Sequence, residues 1–244
     1  MKFRSENPIY SRVNYSAEYG EEATYTGVAL KTALLLLITA GVAFNFMFNV
    51  AIDLSFGLII SAMVIAPISA FIMVILAHKN EQLSFLYSIL YALFEGVFLG
   101  LITLLVRIEV GDVGITFAMV GTFATLLVML GVHSTGLIKV GQGFKSFIFT
   151  ALISLIIVSL VFYIVYYSGL LSPAIGFGFY LTIILVSILL STLYLLHDFS
   201  RIQQYVQSGA SKSSEWSLSL GLMVTLVWLY IDLLRLILIL SRRR

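Results

Sequence analysis

Residues 174–199 read AIGFGFYLTIILVSILLSTLYLLHDF, one unbroken apolar stretch with no charge until Asp198 near its end. It exceeds the ~20 residues that a helix needs to cross the hydrocarbon of a bilayer. It is apolar on every face, whereas a barrel strand would alternate apolar and polar positions over ~10 residues. Outward from it, similar runs fall at 28–50, 54–77, 83–106, 114–133, 144–168 and 218–240. The expected fold is therefore an all-α membrane protein, a bundle of seven transmembrane helices with the last one central. The division is a polar cytosolic tail (1–27), a membrane domain (28–240) and a basic C-terminal tail (241–244).

Composition agrees and excludes other classes. Hydrophobic residues make up 60% of the 244 and charged residues 11%, which rules out an ordinary soluble domain. The mean hydropathy is +1.06. With no cysteine, disulfides, thiol catalysis and cysteine-held clusters are excluded. A net charge of +2 spread over short loops offers no face to nucleic acid. The first 27 residues lack the apolar core and small-residue cleavage site of a signal peptide.

Basic residues orient the chain. Lys2, Arg4, Arg12 and Lys31 lie in or beside the tail, and Lys79, Lys139, Lys145, Arg201 and Lys212 fall on the same side; the opposite loops hold only Arg107. The positive-inside rule then puts the N-terminus in the cytosol, with the plasma (inner) membrane as the expected location. Seven crossings send the C-terminus outside, against the pull of Arg242, Arg243 and Arg244; a re-entrant last segment is the alternative.

Three acids interrupt the apolar runs: Glu95 in YALFEGVFLG (91–100), Asp198 in STLYLLHDFSRI (191–202) and Asp232 in VWLYIDLLRLIL (227–238). A charge at bilayer depth costs at least ~2.5 kcal/mol on insertion scales, so such residues pair and mark ion or proton routes. Two carboxyls held close share a proton and form a pH-sensitive latch, or a transient oxygen site for calcium. Asp198 and Asp232 match in depth if the last helix begins near Gly221. The plainer alternative is local pairing with Arg201 and Arg235, each three residues on.

Other polar residues have structural readings beside functional ones. Glu95 has no basic residue within helical reach and is either a protonated acid inside the bundle or a charge facing a cavity. Gly96 and Gly100 form a GxxxG pattern suited to close helix approach. His78 and Lys79 end the second run as anchors or as a basic tether. Two aspartates on adjacent helices also suit an intramembrane aspartyl protease. However, His197 rather than tyrosine precedes Asp198, Asp232 lacks GxGD, and PAL, HExxH and GxSxG patterns are absent, so no enzyme is expected.

Five stretches together resemble the Bax inhibitor-1/YccA membrane proteins, in their bacterial-type branch: ENPIY (6–10), VALKTALLLL (28–37), YALFEGVFLG, YLLHDFSRI (194–202) and LYIDLLRLILIL (229–240). The resemblance spans nearly the whole chain. It implies a seven-helix bundle that leaks calcium in a pH-dependent manner, with Asp198 and Asp232 as the di-aspartate sensor and a basic tether at His78 or Lys79. An arginine would match the family better there, and the connection between the aspartates is longer than the resemblance leads one to expect. Calcium is then cargo rather than cofactor, and the bilayer is the surrounding partner. The likeness to YccA implies an alternative, a non-transporting regulator that binds a membrane-bound quality-control protease through its polar tail.

Overall fold

The computed structural model describes residues 21–50, 56–138 and 140–241. ENPIY, Lys2, Arg4, Arg12, Lys139 and Arg242–Arg244 lie outside the described residues, as does most of the polar tail. The elements run α1 (Tyr25–Asn45), a π-helical turn (Phe46–Val50), α2 (Phe56–Lys79), a 3-10 turn (Glu81–Leu83), α3 (Ser84–Thr135), α4 (Gln142–Tyr167), α5 (Pro173–Gln207) and α6 (Ser214–Ser241). Among the described residues six helices are long and apolar enough to cross a membrane, where seven were expected. The difference lies in α3, which takes in both the 83–106 and the 114–133 runs.

α3 is not straight. Gly111, at φ 67° and ψ −177°, leaves helical geometry inside it, a backbone shape that only glycine adopts without strain. Beyond this break, Ala118 packs in one cluster with Val106 and Leu234, with Ile102 and Ile115 against them. Thirteen residues of continuous helix would hold Ile102 and Ile115 ~20 Å apart, so the chain folds back on itself at Gly111.

The helix ends follow local chemistry. Thr24 caps α1 by accepting from the Gly27 amide at 2.9 Å. His78 and Lys79 end α2 where positive charge suits the helix dipole. Pro173 opens α5, where its missing amide hydrogen goes unused.

Helices in lipid gain little by hiding apolar surface from one another, so packing rests on close approach and hydroxyl bonds. Gly96 and Gly100 provide the approach: an added Cβ would fall 2.7 Å from Val42 Cβ and 2.7 Å from the Ala43 carbonyl oxygen, respectively. Buried hydroxyls tie the helices to one another, Thr39 to the Ala92 carbonyl at 3.0 Å and Ser219 to the Val28 carbonyl at 2.9 Å. α6 contributes to all three core clusters, through Leu222, Leu226 and Leu229, through Leu220, Met223 and Val227, and through Leu234. It packs on α1, α2, α3 and α5, whereas α4 touches mainly α5 and presents exposed residues such as Ile156 and Ile157.

Candidate functional site

The α5–α6 interface holds two of the three acids that interrupt the apolar runs. Asp198 is 8% exposed and Asp232 1%. The Thr225 hydroxyl of α6 donates to Asp198 Oδ2 at 2.5 Å. In mirror fashion, the Ser187 hydroxyl of α5 donates to Asp232 Oδ2. Trp228 Nε1 donates to Ser187 Oγ at 2.9 Å and so orients that hydroxyl. Each acid is therefore closed by the opposite helix.

The two acids do not meet. Thr225 and Asp232 are seven residues apart on α6, or ~10 Å along the axis, so the clasps sit at two depths. Matched depth required the last helix to start near Gly221; it starts at Ser214, where the Ser214, Glu215 and Trp216 amides already bond back to the Ser211, Lys212 and Ser213 carbonyls. In this arrangement the pair does not close around a single cation. Among the described residues no group of three or more His, Asp or Glu is gathered for a metal.

The basic candidates divide between partners. Arg235 Nη1 lies 3.5 Å from Asp232 Oδ1, the local pairing that the three-residue spacing allowed. Arg201 turns instead to the end of α2, with Nη1 3.5 Å from His78 Nε2 and its guanidinium 5.7 Å from the Tyr205 ring centroid. His78 Nδ1 is 2.9 Å from the Val74 carbonyl, which accepts from it. His197 Nδ1 stands 3.4 Å from Asp198 Oδ1. Lys79 is exposed at the end of α2. Glu95 is 6% exposed on α3 beside the buried Tyr91 and Ala92, and no ion pair or hydrogen bond holds it among the described residues.

A fourth buried acid went unread in the sequence. Glu215, in the first turn of α6, is 1% exposed and bonds Lys31 Nζ at 2.6 Å, the Thr24 amide at 2.8 Å and the Thr24 hydroxyl at 3.1 Å. Beside it, Glu22 pairs with Ser211 as an antiparallel bridge, and Lys212 binds Glu21. The root of the N-terminal tail is thus strapped to the α5–α6 turn. The signal in the sequence was Lys31, a lone cation just inside the first apolar run.

Fold and site together define a multi-pass helical membrane protein with ionisable groups sealed between its last two helices. The chain belongs to the Bax inhibitor 1 like family, whose model matches residues 7–242. Comparison with curated proteins finds no match.

Proposed function

We propose that this protein is a pH-regulated calcium leak in which Asp198 and Asp232 clasp α5 to α6 at two depths. The observation that carries this reading is the reciprocal closure, Thr225 on Asp198 and Ser187 on Asp232. An ionised acid at bilayer depth costs at least ~2.5 kcal/mol. Neutral acids therefore favour the packed interface, and ionisation of both favours an arrangement that admits water or a hard cation. Carboxylate oxygens suit calcium, which accepts irregular coordination. A bias of ~1.4 kcal/mol changes the open population tenfold.

On this reading the halves of α3 on either side of Gly111 cross separately, giving seven crossings, with the N-terminus in the cytosol of the plasma (inner) membrane. Supporting it, α3 has 52 residues, which at ~1.5 Å each far exceeds the ~30 Å of hydrocarbon. The test is calcium efflux from loaded liposomes. Efflux is expected to rise with pH in the native protein, and Asp232→Asn is expected to flatten that response. Flux that ignores pH, or an Asp232→Asn profile identical to the native one, removes the proposal.

A second reading, a regulator of a membrane-bound quality-control protease, is favoured by the strap. A partner that grips the tail pulls on residues bonded directly to the α5–α6 turn. Deleting residues 1–20 spares the strap and separates the readings. Loss of protease capture with intact flux supports regulation, and intact capture excludes the tail as the contact.

A further inference from the structure

A second site lies on the other side of α6, away from both aspartates. A cavity of about 300 Å³ opens between α1, the two limbs of α3 and α6. Its floor is buried, formed by Thr39, Leu99, Thr103, Thr122, Leu226 and Val227. Its rim is exposed at Phe44, Met119 and Phe123. All of these residues lie inside segments apolar enough to span, so the opening faces lipid rather than water.

The polar atoms of the lining are already engaged. Thr39 donates to the Ala92 carbonyl at 3.0 Å and Thr122 to the Ala118 carbonyl at 2.8 Å. Thr103 and Tyr230 bond each other at 3.1 Å. What faces the space is methyl, methylene and aromatic carbon, so the guest must be apolar along its length and an ion route through it is disfavoured.

One end of the groove carries an arginine, ion-paired with Asp112. Arg107 is one helical turn beyond Thr103 on the same face of α3. Its guanidinium lies 4.8 Å from the Phe48 ring, which packs at a tilt against Phe44 of the rim, with ring centroids 4.5 Å apart. Nε and Nη2 bind Asp112 at 2.5 and 3.2 Å, and three further N–H donors remain on the guanidinium. An apolar slot ending at an arginine matches one molecule of the surrounding solvent, a phospholipid, with an acyl chain inward and its phosphate outward.

We propose that this groove is a binding site for a single phospholipid, with one acyl chain laid between α1 and the α3 hairpin and the phosphate held by Arg107. The bound chain lies against Val227 and Tyr230 of α6 and props that helix on the face opposite its clasps to α5.

The test uses the full chain in phosphatidylcholine vesicles that contain a minor fraction of phosphatidylglycerol bearing a diazirine midway along one acyl chain. After illumination, labelled peptides are read by mass spectrometry. Adducts are expected to concentrate on Met47 and Met119 over the lipid-facing side of α4 at Ile156 and Ile157. Ala40→Phe fills the groove from its exposed rim and is expected to abolish the groove adducts while leaving α4 labelling unchanged; Met119→Trp fills it from the facing wall and serves where the first variant fails to fold. Arg107→Gln is expected to lower groove labelling several-fold. Equal labelling of groove and α4, or labelling that survives both fillings, reduces the site to ordinary annular lipid and overturns the proposal. Unchanged labelling in Arg107→Gln overturns the phosphate contact.

Discussion

Glu215 and Asp232 are equally hidden, each 1% exposed on α6, yet their surroundings differ. Glu215 has a full counter-charge at 2.6 Å and two bonds from Thr24, on a strap that joins the start of α1 to the start of α6. Asp232 has one neutral hydroxyl and a guanidinium at 3.5 Å that is itself half exposed. Asp198 has a hydroxyl and an imidazole at 3.4 Å. A buried acid with a dedicated cation is an anchor, since either charge alone is too costly to leave behind. Asp198 and Asp232 are closed instead by hydroxyls of the opposite helix, with their basic neighbours farther off.

The contrast is broken most forcefully at Lys31. Lys31→Met strands Glu215 without its cation, and the expected loss of stability is about 3 kcal/mol, read as a lower thermal unfolding midpoint in detergent. An unchanged midpoint would show that Glu215 is no anchor. At the clasps the effect is smaller and of another kind. Thr225→Val and Ser187→Ala should each cost about 1–2 kcal/mol and shift the pH profile of calcium efflux. Lys31→Met should lower stability without moving that profile. A Thr225→Val protein with native efflux at every pH would erase the distinction.

The smallest effect is expected where the strap is open to solvent. Lys212 lies against Glu21 and holds that carboxyl below its usual range, while Glu21 raises the Lys212 ammonium above its own. The sign follows from linkage. The carboxylate's contribution is present above its unfolded pKa and fades as pH falls through its lowered folded value. The ammonium's contribution is present below its unfolded pKa and fades as pH rises through its raised folded value. Hydrogen exchange at the Ala23 and Lys212 amides, which bond across the strap at 2.8 and 2.9 Å, should stay slow across the neutral range, allowing for the intrinsic rate, and quicken only at the acid and alkaline extremes. Lys212→Ala should bring the quickening into the neutral range while leaving efflux untouched.

The acids were legible one by one because a carboxyl in an apolar run stands out against its neighbours. Their partners were not. Ser187 and Thr225 are two hydroxyls among many, and a hydroxyl in a membrane helix ordinarily bonds its own backbone, as Thr32 and Thr122 do here. The expected meeting of Asp198 with Asp232 depended on a last helix that starts near Gly221, and α6 starts seven residues earlier, at Ser214. That moves Asp232 two turns along its axis relative to α5.

Apolar length and the absence of alternation are properties of the chain alone, so membrane helices, their approximate limits and the glycine contacts of α3 followed from residue order. Family membership followed from the same short stretches. The helix register, the fold-back at Gly111, the strap on Glu215 and the lipid-facing groove depend on contacts between segments up to 191 residues apart. Only the packed bundle decides these, because a side chain's partner in lipid is whichever group the opposite helix presents at the same depth.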